Sequence, residues 1–272
     1  MINEFVKKCH SILVNKESEE VTNAIEYLQV RGLEDSSIVD NNIGYCPLDY
    51  EIPDYIKHYG LEDDPRRLDV NYSYFIRGKL IVPVYDEFDT CVGLATRKPS
   101  FDNGETWWNL PIPFYKGKHL FLLNRAKKYI FEENKVYIVE GYMDALYLYQ
   151  KGIRNIVAIM GTAFTLRKIA LMARYCDNAC FAFDVDINNA GQDATNKSIC
   201  QLHNLSLCDT ISVIDGMSEG VDPDEYVKEH GVELFLEHEK ILTTEDVKNI
   251  CIKVKESIAR KRENARENFC KK

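Results

Sequence analysis

The chain has 272 residues, of which 45% are hydrophobic and 28% charged, which is enough for one large or two small globular domains. The sequence shows no run of about eighteen apolar residues and no apolar core of a secretory signal, so we expect a cytoplasmic location. The nine cysteines lack Cys-x-x-Cys spacing, which excludes a zinc ribbon and predicts reduced, partly buried thiols.

The net charge of −9 is unevenly distributed. Residues 71–130 contain nine Lys or Arg against five Asp or Glu, and residues 247–272 contain nine against three. Nucleic-acid phosphates attract such basic stretches, whereas the acidic remainder suits metal ions. The distribution therefore favours an enzyme that binds metals next to a phosphate backbone.

The N-terminal part reads as helical. The spacing of apolar residues predicts helix over 4–31, ended by Gly32, and a short helix over 35–40. A turn is predicted at 44–47, and the tyrosine-rich stretch 49–72 has no clear pattern.

An antiparallel hairpin is predicted over 75–97, with its turn at 86–90. We expect Arg77, Lys79 and Arg97 to share one polar face while the apolar residues between them pack. A solvated face on a half-buried sheet explains the same pattern without any ligand.

From residue 135, strands alternate with helices, a pattern that predicts a parallel sheet with right-handed crossovers. The predicted strands cover 136–139, 155–160, 179–183 and 211–214, and the predicted helices cover 142–151, 165–175 and about 190–205, with a short one beginning near Pro223. A last helix begins at a capping box of Thr243 and Asp246. The fold class is α/β: a mixed N-terminal subdomain, then a parallel sheet flanked by helices.

Three acidic pairs recur in the second half of the chain, two of them directly after an apolar strand. They are Glu140 and Asp144, Asp184 and Asp186, and Asp222 and Asp224. Each pair alone has a simpler explanation, such as a helix N-terminus or a solvated strand end. Together, six carboxylates at one site would require cations, and oxygen ligands favour Mg²⁺ or Mn²⁺. The chemistry that commonly needs such ions is phosphoryl or nucleotidyl transfer.

Several sequence blocks carry a family resemblance. The succession EGYMDAL, IVAIMGTAFT, FDVDINNAGQDAT and DGMSEGVDPDEYVKEHG resembles the Toprim domain of bacterial-type (DnaG-like) primases. Upstream, FIRGKLIVPVYDEFDTCVGLATRKP and FYKGKHLFLLNRA resemble the basic subdomain that precedes Toprim in those enzymes. The resemblance covers roughly residues 20–232.

The resemblance implies a DNA primase with residues 1–130 as the basic template- and nucleotide-binding subdomain, 131–232 as the Toprim domain and 233–272 as a C-terminal helical segment. Glu140, Asp184 and Asp186 would be catalytic, and all six acidic residues would form the metal site. The residues expected to hold template and nucleotide are Arg31, Arg77, Lys79, Arg97, Trp107, Lys116 and Gly161.

Two departures from the family pattern affect these roles. The usual Asp-Gly-Asp is Asp184-Val185-Asp186 here, and valine does not adopt positive φ at low cost, so we expect a different loop path. A lysine of the family pattern is Thr106 in this chain, next to Trp107. This suggests that stacking of Trp107 on a base replaces the charge contact of that lysine.

The implied substrates are a single-stranded DNA template and NTPs, with a replicative helicase or a separate zinc-ribbon protein as partner. We expect a catalytic core alone, as a phage or mobile element would encode, or one working beside separate partners. Two alternatives stay open: a Toprim nuclease or strand-cleaving enzyme, and a non-catalytic single-stranded DNA-binding replisome module.

Overall fold

The computed structural model describes residues 2–16, 18–57, 71–101, 106–110, 115–161, 164–183, 190–218 and 220–270, with only the backbone of 190–193 and 264–270. The chain divides into two compact units, Met1–Arg125 and Ala126–Lys272. None of the described helices is long and apolar enough to cross a membrane.

The first unit contains a four-stranded antiparallel sheet in the order β1-β2-β3-β4. Its strands are β1 (Gly44–Cys46), β2 (Lys79–Tyr85), β3 (Cys91–Arg97) and β4 (Trp108–Asn109). The hairpin of β2 and β3 confirms the predicted pairing and turn. The turn predicted at 44–47 is wrong, because Gly44–Cys46 pair with Ile81–Lys79 as an edge strand.

Helices precede and interrupt this sheet. They are α1 (Ile2–Asn15), α2 (Glu19–Val30), α3 (Asp35–Asp40), α4 (Asp54–Lys57) and α5 (Ser73–Ile76), with a 3₁₀ turn at Lys116–Lys118. The stretch predicted as helical over 4–31 consists of two helices, α1 and α2, and Lys16, directly after α1, takes a positive φ of 53°. The predicted stop is confirmed: Gly32 has φ 87°, and Leu33 N–H donates to Leu28 O.

The two faces of the first sheet carry different residues. Leu80 pairs with Arg97 and Lys79 pairs with Cys46, and directly paired residues point to the same face. Arg97 therefore shares a face with Leu80, opposite to Lys79. The expectation that Arg77, Lys79 and Arg97 share one polar face is wrong for Arg97.

Both faces of that sheet are covered. On the Ile81 face, an apolar cluster joins Phe5 and Cys9 of α1 to Leu94 of β3. On the other face, Tyr45 donates its hydroxyl hydrogen to Glu20 of α2 at 3.1 Å. This double cover explains why all the central residues of β2 are buried.

The second unit contains a five-stranded sheet in the order β6-β5-β7-β8-β9. Its strands are β5 (Lys135–Val139), β6 (Ile156–Ala158), β7 (Asn178–Phe181), β8 (Thr210–Ile214) and β9 (Glu239–Ile241). The first four are parallel, as predicted from their alternation with helices, and β9 adds an antiparallel edge that the sequence pattern did not reveal. The expected α/β class is confirmed.

Seven helices of the second half are described: α6 (Leu123–Glu133), α7 (Tyr142–Gln150), α8 (Leu166–Met172), α9 (Ala190–Leu205), α10 (Pro223–His230), α11 (Val232–Glu237) and α12 (Thr244–Cys270). The predicted helices agree with these bounds, whereas α6 and α11 were not predicted. The capping box of α12 is confirmed, because Thr243 N–H donates to Asp246 at 2.9 Å and Asp246 N–H donates to the Thr243 hydroxyl at 3.1 Å.

One cysteine pair corrects the expectation of reduced thiols. Cys200 of α9 and Cys251 of α12 form a disulfide with their Cα atoms 5.3 Å apart. The other cysteines whose side chains are described are free, and most of them are buried.

Candidate active site

The carboxyl end of β5 places Glu140 at the edge of the second sheet. β5 pairs in parallel with β6 on one side and with β7 on the other, so three strands end at this edge. Gly161 N–H donates to Glu140 O at 3.2 Å, which ties the turn after β6 to this residue. Glu140 itself is half-buried.

Gly161 lies in a turn with left-handed backbone. Met160 and Gly161 have φ angles of 62° and 65°, and a Cβ at Gly161 would meet no atom within 4 Å. The position is therefore open on the side where a side chain would project. The expected role of Gly161 toward substrate stays a prediction.

Asp144 is held at the start of α7. Its Oδ2 accepts a hydrogen bond from Gly141 N–H at 3.1 Å, and only 6% of the residue is exposed. A Cβ at Gly141 would lie 2.5 Å from the same oxygen, so glycine is required for this close approach. Asp144 thus has the role of a residue at a helix N-terminus, which was the simpler explanation for this acidic residue. Its carboxylate also belongs to the acidic group described below.

Asp222 and Asp224 stand at the start of α10, which packs against α7. Asp222 is the N-cap residue, Pro223 follows it, and Asp224 is completely buried. Lys228, one helical turn later, donates to Asp224 Oδ2 at 2.5 Å, and its Nζ lies 4.8 Å from the centre of the Tyr147 ring of α7. Lys228 therefore connects Asp224 to the neighbouring helix.

Asp144, Asp222 and Asp224 form one group. Each offers a carboxylate oxygen, and these oxygens lie within 4.8 Å of one another. Carboxylates this close repel one another unless a positive charge is near, and hard oxygen donors are the ligands that divalent cations prefer. The three residues fit a divalent metal ion.

The structure does not bring all six predicted acidic residues into this group. Glu140 is not part of it. Asp184 and Asp186 lie outside the described residues, just after the buried Phe183 that follows β7. Their place at the metal site therefore stays a prediction.

The basic residues of the first unit sit in separate surroundings. Arg31 follows α2 as its C-cap residue. Arg77 is exposed and its Nε donates to Tyr50 O at 3.0 Å. Lys116 lies in the 3₁₀ turn, where burial lowers the pKa of its amino group. Trp107 is half-buried beside β4.

The sequence analysis did not predict two lysines that contact residues of the site or of the sheet edge. Lys168 of α8 is completely buried and its Nζ donates to Ile159 O at 2.7 Å, just beyond β6. Lys228 could have been found, because an Asp followed four residues later by Lys on a predicted helix is a recognised pair. The contact of Lys168 links α8 to the end of β6 over nine residues, a spacing that matches neither helix nor strand periodicity, and so leaves no such signal.

Comparison with known proteins finds a family model that matches part of the second unit. Residues 137–227 match the family model described as Toprim-like, a range that includes Glu140, Asp144, Asp222 and Asp224.

Relatives of known name agree with that match. The DNA primase of Aquifex aeolicus (strain VF5) is 31% identical over 234 residues, which are 82% of this chain and 44% of that protein. The chain thus spans less than half the length of this curated relative.

Solved structures share the fold. The DnaG catalytic core has a TM-score of 0.68 and 25% identity, over 88% of this chain and 79% of that one. The DnaG primase catalytic domain bound to single-stranded DNA has a TM-score of 0.65 and 24% identity, over 87% and 80%. The chain is therefore related to bacterial DNA primases and contains a Toprim-like domain within a fold of the DnaG catalytic-core type.

Proposed function

We propose that this chain synthesises short RNA primers on single-stranded DNA. The observation that carries the proposal is the group of Asp144, Asp222 and Asp224, which assembles at two helix N-termini inside the Toprim-like region. The curated relative is a DNA primase, and a likeness of 31% identity favours the same activity over strand cleavage or passive DNA binding.

The proposed reaction is nucleotidyl transfer. A nucleotide or primer 3′-hydroxyl attacks the α-phosphorus of an NTP, its oxygen forms the new P–O bond, and pyrophosphate leaves. Glu140 would accept the proton of the attacking hydroxyl, with Asp184 and Asp186 as further catalytic carboxylates. Mg²⁺ or Mn²⁺, held by Asp144, Asp222 and Asp224 together with the other acidic residues, would stabilise the negative charge that develops on the phosphoryl oxygens.

We propose that the first unit contacts template and nucleotide. Its basic residues Arg31, Arg77, Lys79, Arg97 and Lys116 would bind phosphates, Trp107 would stack on a base, and Gly161 of the second unit would admit substrate backbone. A related DnaG catalytic domain has been captured with single-stranded DNA, which supports this template class. A helicase or zinc-binding protein is the proposed partner, and the division 1–130, 131–232 and 233–272 is the proposed domain plan.

A primer-synthesis assay tests the proposal. The purified chain is incubated with a single-stranded template, labelled NTPs and Mg²⁺ or Mn²⁺, and the products are separated by length. We expect template-dependent RNA that disappears when EDTA removes the metal. Template cleavage without RNA synthesis would identify a nuclease, and DNA binding without either product would identify a non-catalytic module.

Asp184→Asn separates catalysis from binding in the same assay. We expect this variant to lose primer synthesis while it keeps most of the affinity for DNA, because one metal-binding charge is removed far from the basic segment in sequence. Asp177→Asn, which changes an acidic residue before β7, at the opposite end of that strand, serves as the matched control. Primer synthesis retained by Asp184→Asn would contradict its metal-binding role.

A further inference from the structure

A row of aromatic rings in the first unit ends in one exposed ring beside a positive charge. Tyr72 contacts Trp108 with ring centres 5.6 Å apart, and Phe75 stacks on Trp108 at 4.3 Å with the planes within 10°. Tyr74 then meets Phe75 edge-on at 5.4 Å. The Lys79 ammonium lies 5.6 Å from the centre of the Tyr74 ring and 5.7 Å from that of Phe75.

The row leads from the core to the surface. Tyr72 is buried, Phe75 and Trp108 pack against the apolar cluster of α1, and Tyr74 is 81% exposed. The Thr96 hydroxyl of β3 donates to Phe75 O at 2.7 Å, which fixes α5 to the sheet. The exposed Tyr74 ring therefore has a defined position, because its helix α5 is anchored to the sheet and its edge contacts Phe75.

The backbone before β2 fixes the cation as well. Gly78 has φ 66°, its N–H donates to Cys46 O at 2.7 Å, and a Cβ there would lie 2.7 Å from a Leu48 methyl carbon. Only glycine meets these conditions without strain, and the residue it positions is Lys79. Arg77, exposed on the preceding turn, adds a second positive charge to the same short segment.

From this geometry we propose that Tyr74 and Lys79 form a stacking platform for an unpaired base of single-stranded DNA. The Tyr74 ring offers a face to the base, and the adjoining Lys79 and Arg77 attract the phosphates on either side of it. The inference rests on the proposed function and adds to it a contact residue outside the predicted set.

Phe88, an exposed aromatic side chain of the hairpin, lacks this combination. Phe88, at the far turn of the hairpin, is 72% exposed, and its neighbours in the chain are Glu87 and Asp89. The seven residues of β2 separate it from Tyr74 by roughly 20 Å. Phe88 therefore provides a matched control: a similarly exposed ring in the same unit, between two acidic residues of the chain.

The test compares Tyr74→Ala, Tyr74→Phe and Phe88→Ala in the full chain. Affinity is measured at one salt concentration by fluorescence anisotropy, for a single-stranded oligonucleotide and for an abasic strand of the same length. We expect Tyr74→Ala to bind the base-bearing strand roughly fivefold to a hundredfold more weakly and the abasic strand almost unchanged. Tyr74→Phe and Phe88→Ala should bind both strands as the wild type does.

Two outcomes overturn the platform. One is an unchanged affinity of Tyr74→Ala for the base-bearing strand, which would assign the ring to another role such as a protein contact. The other is an equal loss for both strands, which would indicate a general effect on backbone binding. Because Tyr74 is exposed, the thermal unfolding midpoint of Tyr74→Ala should equal that of the wild type. A lower midpoint would reveal a misfolded variant independently of the binding data. Failure of the platform leaves primer synthesis by the wild type intact, whereas failure of the proposed function appears as absent synthesis.

Discussion

Lys228 stabilises a member of the acidic group of Asp144, Asp222 and Asp224 through its ion pair with Asp224. Asp224 is completely buried, and a buried carboxylate is costly unless it is paired with a positive charge. Lys228 supplies that charge from the same helix, with 27% of its side chain exposed. The pair allows an ionised carboxylate to lie at the α10 N-terminus before any metal arrives.

We expect Lys228→Met to lower the free energy of unfolding by about 3 kcal/mol when metal is removed by EDTA, because the buried Asp224 loses its cation. Mg²⁺ should restore part of this loss, and should stabilise the variant more than the wild type. Urea unfolding with EDTA and with Mg²⁺ measures both effects.

Glu229→Gln, which changes an exposed neighbour on the same helix, should alter unfolding by less than about 0.5 kcal/mol. Equal stabilisation of Lys228→Met and wild type by Mg²⁺ would argue against Asp224 as a metal ligand.

Gly141→Ala probes the position of the Asp144 carboxylate. Alanine tolerates the observed φ of −101°, but its Cβ would displace Asp144 Oδ2. We expect primer synthesis to fall by about tenfold to a hundredfold while the chain stays folded, by analogy with the loss of groups that orient metal ligands. In the primer assay, Gly141→Ala combined with Asp144→Asn should be no worse than Asp144→Asn alone, and additive losses would show that the two act separately.

At the scale of elements, the edge strand β9 is held by a polar network. Glu239 accepts hydrogen bonds from Lys135 and from the hydroxyls of Tyr137, at 2.9 Å, and Ser212, at 2.6 Å. Burial alone would raise the pKa of Glu239, but these hydrogen bonds together lower it below its ordinary value. One carboxylate thus joins β9 to β5 and β8.

We expect Glu239→Gln to destabilise the fold by about 2 kcal/mol at neutral pH, the size of hydrogen bonds to a charged group. Because the folded pKa lies below the ordinary value of 4.5, the stabilisation by Glu239 is complete above that pH and is lost as the pH falls through the folded pKa. The difference between wild type and variant should therefore shrink below pH 4.5 in denaturant titrations. For Glu237→Gln, an exposed control, the difference should be small at every pH.

Elements with strong local signals were predicted well. The strands and helices from residue 135 agree because apolar runs alternate with periodic helices, and α3 agrees with its predicted bounds. The strand Gly44–Cys46 was predicted as a turn because glycine is typical of turns. Here Gly44 instead allows close packing, since a Cβ at this position would lie 2.6 Å from the α1 backbone. Such close packing between distant segments has no local signature.

At the scale of the molecule, opposite charges are concentrated in different parts of the chain. The acidic group of Asp144, Asp222 and Asp224 lies in the second unit, whereas the five basic residues proposed for phosphate binding lie in the first. A net charge of −9 therefore does not prevent nucleic-acid binding, because phosphates respond to the local charge within about a Debye length.

We expect the affinity for single-stranded DNA to fall steeply with salt. If Arg31, Arg77, Lys79, Arg97 and Lys116 each neutralise a phosphate, the slope of log K against log salt should be roughly −3.5. Anisotropy titrations at several salt concentrations measure it, and Lys116→Gln should make the slope shallower by about 0.7. A slope near zero would contradict phosphate binding by this set.

By itself, the sequence determined the α/β class, the parallel orientation of four strands and the list of candidate acidic residues, because period and composition are local properties. Tertiary structure decided which carboxylates meet: Asp144 and Asp224 are 80 positions apart and come together only because α7 and α10 pack with their N-termini adjacent. It also separated Arg97 from Lys79, since strand register, and not spacing in the chain, determines which face a side chain occupies.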